Sequence, residues 1–158
     1  MNDKTGKADL GKPSGFRDLV GYRTIHWVEG HAIFEVDIGP EHHNSSGFLH
    51  GGVYMTILDA AMGHASTWCN EEGHVRPCVT LSLTANFVAV ARTPIIRAKA
   101  WLQGVADRAA VCHGEVVDAA DNVCLTGNGS YRYLRGGEAL AGIPRPVSHG
   151  DGETAGEP

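Results

Sequence analysis

Residues 51–72 contain no proline and are filled with Val, Met, Ile, Leu and Ala, while the sequence around them breaks repeatedly at Gly, Pro, Asn and Asp into short runs. That stretch alone is long and apolar enough for an extended helix, and Gly73 stands where such a helix would end. The short runs read as strands. Residues 22–28 and 32–38 flank Glu29-Gly30-His31 as a hairpin, and Gly39-Pro40 ends the second run. After the helix, Val79, Leu81, Leu83, Ala85 and Phe87 alternate with Thr80, Ser82, Thr84 and Asn86, the period of two of a half-buried strand. Residues 95–102, 109–117 and 123–134 are three more β-like runs, the last two joined by Asp118-Ala119-Ala120-Asp121-Asn122 as a turn.

Connections this short make the strands antiparallel, because a parallel crossover needs a dozen or more residues. With a single helix available to cover one large sheet, the sheet has to wrap around it, which makes the fold α+β. On a helical wheel Val53, Ile57, Ala60 and Ala61 form one apolar stripe, and Met55, Leu58 and Met62 extend apolar character to the opposite side. A helix apolar on both sides needs a second cover, and another copy of the chain is the simplest one.

The chain has 158 residues with 13 Lys and Arg against 18 Asp and Glu, a net charge of -5, and its basic residues form no run. Nucleic acid is therefore not the expected partner. No stretch reaches the roughly 18 apolar residues of a spanning helix, and the opening MNDKTGKADLGKPSG lacks the apolar core of a signal peptide. A cytoplasmic protein with no membrane partner is expected. Residues 1–13 read as a flexible leader, 14–135 as the folded domain and 136–158, rich in Gly, Pro and acids, as a disordered tail. Cys69, Cys78, Cys112 and Cys124 form no CxxC pair, and His26, His31, His42, His43, His64, His74, His113 and His149 show no ligand spacing. Reduced thiols and no metal site are expected.

Asp59, between Leu58 and Ala60, is out of place on an apolar helix, since a carboxylate there must be paired, hydrogen-bonded or partly solvated. Eight positions earlier the helix starts at His50-Gly51-Gly52, where backbone N–H groups have no intrahelical partner and the dipole is positive. Paired glycines let a substrate approach those donors, which suits an acyl carbonyl that turns negative on attack. Gly51-Gly52 also serves as a tight loop-to-helix turn. At about 1.5 Å per residue the two features lie roughly 12 Å apart, too far to engage one carbon. An antiparallel packing of the helix on a second copy would bring them together in two equivalent sites.

Asn44-Ser45-Ser46-Gly47-Phe48-Leu49-His50-Gly51-Gly52 followed by Leu58-Asp59 resembles the N-x-x-G-x-x-H-G-G…D signature of hotdog-fold acyl-CoA thioesterases of the phenylacetate-pathway, PaaI-like, type. The resemblance covers roughly residues 20–134. It implies a hotdog fold, an antiparallel sheet of about six strands wrapped around one long central helix. It also implies hydrolysis of an acyl-CoA thioester in a homodimer or a homotetramer built as a dimer of dimers. Coenzyme A is then part of the substrate, and no cofactor is needed. By the same resemblance, the Gly51 N–H and Asn44 hold the thioester carbonyl, the partner subunit's Asp59 acts as general base or as nucleophile, Thr80 helps place the water, and His50 lies near the thioester. Gly47, Phe48, Gly52, Met55 and Met62 are the candidate substrate-binding residues.

The sequence departs from the family pattern after Phe87, where Val88-Ala89-Val90-Ala91 precedes Arg92 and a late Pro94. Arg92, Arg97, Lys99 and Arg108 could receive coenzyme A phosphates or simply charge solvated strand edges. The acyl group is open between aryl-acetyl and medium-chain. The alternative function is a non-catalytic hotdog protein that binds an acyl-CoA or lipid ligand.

Overall fold

The computed structural model describes residues 15–146, so the 1–13 leader and the last part of the tail, 147–158, lie outside the described residues. A short helix α1 (Gly15–Val20) leads into β1 (Arg23–Val28) and β2 (His31–Asp37). A 3-10 turn (Pro40–His42) and a loop then reach the long helix α2 (Gly51–Thr67). Beyond it come β3 (His74–Val75), β4 (Cys78–Phe87), β5 (Ile95–Ala106), β6 (Ala109–Asp118), β7 (Val123–Tyr133) and β8 (Ile143–Pro144). Six strands form one antiparallel sheet in the order β1-β2-β5-β6-β7-β4, and β3 pairs with β8 in a separate ribbon. The expected two strands, one helix and four strands are all present. No helix among the described residues is long and apolar enough to cross a membrane.

The helix lies across the inner face of the sheet and buries Tyr54, Ile57, Leu58, Ala61, Met62, Ala65 and Ser66. These positions recur every three to four residues, so they form one stripe. Leu58 and Met62 thus share the face of Ile57 and Ala61, which corrects the wheel assignment that set them on the opposite side. The other face, with Met55, Asp59, Ala60 and Gly63, stays half-buried.

Close seating of the helix depends on three glycines that alternate on the inner faces of β6 and β7. An added Cβ at Gly127 would lie 2.8 Å from both Leu58 Cδ2 and the Thr84 carbonyl oxygen, and one at Gly114 would lie 2.9 Å from the Lys99 carbonyl oxygen. At Gly129 it would meet the Tyr131 hydroxyl at 2.9 Å. Strand backbone cannot yield as a side-chain tip can. Gly127→Ala should therefore cost about 1–3 kcal/mol, the usual range for overpacking a core, seen as a lower midpoint in urea; an unchanged midpoint would refute this packing.

The helix ends at Thr67 instead of running to Glu72, because its last carbonyls are taken by side chains. Arg76 donates to Ser66 O at 3.2 Å and Trp68 O at 3.1 Å, and the Tyr133 hydroxyl donates to Ser66 O at 2.6 Å. The same buried guanidinium donates to Gly137 O at 3.0 Å and Glu138 O at 3.2 Å while stacking over the Tyr133 ring. This corrects the boundary of the expected disordered tail: residues 136–146 are folded back to satisfy Arg76 and to pair β8 with β3. Gly and acid content carry no record of a buried cation that needs acceptors.

Candidate active site

The loop before α2 is shaped by His42 and Asn44. Buried His42 accepts from Gly39 N at its Nδ1 (2.9 Å) and donates from Nε2 to Val20 O (3.0 Å), while its carbonyl accepts from His50 N (2.8 Å). Asn44 Oδ1 accepts from Ser46 N at 2.9 Å and Phe48 N at 3.1 Å, closing a turn in which Gly47 takes φ +78°. With its oxygen committed to the backbone, the Asn44 amide nitrogen has no acceptor among the described residues. His50 is the helix N-cap, its Nδ1 accepting from Gly52 N at 2.9 Å. Gly51 N, one position earlier, makes no hydrogen bond within the described residues. Asn44 and Gly51 both line a cavity of about 380 Å³ walled by Phe48, Leu49, Tyr54, Phe87 and Val88–Val90. Donors of this kind at a helix N-terminus are chemically suited to stabilising an anion.

The wall opposite the helix is held in place. Tyr54 OH accepts from Ala91 N at 2.9 Å, and buried Asp118 accepts from Arg92 N at 3.2 Å. Burial pushes the Tyr54 phenol up. The Asp118 carboxyl, despite its burial, is held below the usual range by donors from Asn122, Arg92 and Ala120. A side chain at Gly51 would meet the Phe87 ring at 3.2 Å, so glycine sets how closely that wall approaches the helix.

Two turns further along α2, Asp59 Oδ1 accepts from Thr80 Oγ1 at 3.0 Å and from the Tyr131 hydroxyl at 3.0 Å. Strict alternation would turn Thr80 away from the helix that Leu83 and Ala85 face. A register irregularity between Thr80 and Ser82 undoes it: one residue is slipped against β7, and the strand before the slip presents Thr80 inward. Burial, with the Asp59 charge added, pushes the Tyr131 phenol far up, so it remains a donor. Burial likewise pushes the nearby Cys78 thiol up, which keeps it from acting as a thiolate.

The structure therefore gathers the expected site residues into two groups and leaves others outside. Asn44, Phe48 and Gly51 share the 380 Å³ cavity, and Gly47 lines an adjoining cavity of about 280 Å³ together with Phe48, His43 and Arg92. Asp59 and Thr80 are together, where the half-buried side of the helix meets β4 and β7. Gly52 and His50 are joined to each other at the cap. Met55 is half-buried against the core and lines neither cavity. Met62, expected to bind substrate, is wholly buried, its Cε seated where Gly129 lacks a side chain, and belongs to the core. Two residues were missed. Tyr131 and Tyr54 have no motif, although Gly127, Gly129, Tyr131 and Tyr133 alternate with polar Thr126, Asn128, Ser130 and Arg132, which marks Tyr131 as inward-facing.

Residues 46–125 match the family model described as the Thioesterase superfamily. The chain belongs to that superfamily. Its six-stranded antiparallel sheet around one long helix is the hotdog fold of this thioesterase superfamily. A curated relative, PA0474 from Pseudomonas aeruginosa, whose name provisionally makes it an esterase, is 30% identical over 93 residues, 58% of this chain and 68% of the relative. Among solved structures, the conserved protein PA5202 from Pseudomonas aeruginosa superposes with a TM-score of 0.70 at 23% identity, over 80% of this chain and 99% of that one. The PaaI protein of the E. coli phenylacetic acid degradation operon gives 0.67 at 20% identity, over 77% and 85%. These likenesses extend the hotdog topology to nearly all of the described thioesterase-superfamily chain.

Proposed function

We propose that the chain hydrolyses an acyl-CoA thioester at a site shared by two protomers. One observation carries the reading: Asn44 and Gly51, whose side-chain Nδ2 and backbone N–H have no partner among the described residues, line one apolar cavity at the start of α2. Superfamily membership and the esterase and thioesterase names among its relatives support the hydrolase class. Asp59 lies eight residues away on the same helix, about 12 Å by helical rise, so the acid serving this cavity is the partner subunit's Asp59. Its carboxylate takes a proton from water as the water oxygen attacks the carbonyl carbon. Gly51 N–H and Asn44 stabilise the resulting oxyanion, and collapse expels the thiolate of coenzyme A. Thr80 and the His50 cap hold the two halves of this apparatus in place.

The pairing surface is supported by exposure. β4 is an edge strand, hydrogen-bonded on one side only, and Val79, Leu81, Phe87 and Val88 are 46%, 57%, 60% and 61% exposed. With Phe48 and the half-buried outer face of α2 they form an apolar surface that suits an isologous contact with a second copy.

The coenzyme end of the substrate is assigned to the 280 Å³ cavity, which shares Phe48, Leu49 and Val90 with the first. Of the four cations that could receive phosphate, Arg97 is paired with Glu35 at 2.6 Å and Lys99 with Asp121 at 3.1 Å, and Arg108 donates to Tyr133 O at 2.8 Å. Arg92 lines the cavity and is exposed, and its guanidinium makes no hydrogen bond or ion pair among the described residues. A thiol-reagent assay over aryl-acetyl-CoA and medium-chain acyl-CoA substrates should show release of coenzyme A. Arg92→Ala should raise KM several-fold for acyl-CoA and leave it unchanged for the matching acyl-pantetheine thioester. No thiol release from any member would favour the binding protein without turnover.

A further inference from the structure

Asp59 presents unequal oxygens. Oδ1 accepts two hydroxyl donors, Thr80 at 3.0 Å and Tyr131 at 3.0 Å, while Oδ2 has no partner among the described residues. Tyr131 comes from β7 and is 1% exposed, with Gly129 beside it small enough to admit its ring under the helix. Its hydroxyl also lies 3.3 Å from the Asp59 carbonyl oxygen, so it spans backbone and side chain of one residue. Thr80, on an edge strand, is exposed by comparison.

We infer that Tyr131 is a positioning residue that fixes the Asp59 carboxylate by its Oδ1 and so makes Oδ2 the oxygen that meets the attacking water. The inference rests on the proposed thioesterase reading and adds a residue and an atom to it. A carboxylate with both oxygens free rotates about χ2, and only part of its population points a lone pair at the water. A buried, neutral phenol at a fixed distance removes that freedom.

The test is Tyr131→Phe, which keeps the ring and deletes the hydroxyl, assayed with the best acyl-CoA substrate. Turnover should fall about tenfold, within the range that orientation contributes, with KM inside a factor of two. The value of kcat/KM should fall in step with kcat, because orienting the base acts on the chemical step and not on substrate binding. Tyr133→Phe is the structural comparison: its hydroxyl is equally buried but donates to Ser66 O, so it should leave kcat within a factor of two even if it lowers stability. Should the Phe variant be too unstable to assay, 3-fluorotyrosine placed at position 131 keeps the volume and alters only the hydroxyl donor, and kcat should change with KM kept inside a factor of two.

An unchanged kcat in the Tyr131 variants, or a rise in KM matching the loss of kcat/KM, would overturn the positioning role. Failure of the wild-type chain to release thiol from any acyl-CoA would instead overturn the reading beneath it.

Discussion

Asp59→Asn should lower kcat by about three orders of magnitude, in the middle of the range that a positioned general base contributes, without unfolding the protein. Asparagine has the volume of aspartate, and its amide oxygen can accept from Thr80 and Tyr131 as Asp59 Oδ1 does. The amide nitrogen then occupies the place of Oδ2. It can donate a hydrogen bond to water but cannot take a proton from it, so the chemical step loses its base while binding is kept. Single-turnover and steady-state assays on a reactive acyl-CoA, with thermal unfolding in parallel, separate these effects. A variant that keeps wild-type turnover would remove Asp59 from the mechanism.

Asn44→Asp should be almost as damaging for a different reason. Aspartate retains the oxygen that accepts from Ser46 N and Phe48 N, so the turn that leads into α2 survives. What changes is the other atom: a donor aimed at the cavity becomes a second carboxylate oxygen. Loss of one oxyanion donor costs about 10²- to 10³-fold in kcat, and a negative charge where negative charge develops adds to that loss. Asn44→Ala is the less informative change, because it removes the turn's acceptor as well. If Asn44→Asp left kcat intact and raised only KM, Asn44 would be a binding residue and the oxyanion would rest on Gly51 N–H alone.

Much of the fold was legible because its signals are local and repeat. Period two announced β4, β-like runs between turn residues announced the other long strands, and the proline-free run announced α2. The donor half of the site was legible for the same reason: Asn44, Gly51 and the His50 cap lie within one contiguous segment, and helix starts have a known chemistry. The acid half was only partly so. Asp59 stands out as a charge on an apolar helix, but Tyr131 reaches it from 72 residues away, and nothing in the chain near either residue announces the pair.

The wheel failed at Leu58 and Met62 because a uniformly apolar helix does not reveal which side faces the sheet. The sheet decides it, through the missing side chains of Gly114, Gly127 and Gly129. Alternation failed at Thr80 because one slipped residue in β4 exchanges the faces of a strand. The end of α2 and residues 136–146 were misjudged together, since both depend on the four carbonyls that converge on Arg76.

The shared site is most directly tested by mixing two inactive variants. Asp59→Asn lacks the base and Asn44→Asp lacks a donor, so each homodimer is silent at both sites. After co-refolding at equal amounts, half of the dimers are mixed. Each mixed dimer combines the intact donors of one protomer with the intact acid of the other at one of its two sites. Activity should return to about a quarter of the wild-type value per protomer, the statistical limit for a two-fold symmetric dimer. No recovery, with mixed dimers shown to have formed, would place donors and acid in the same chain and contradict the account.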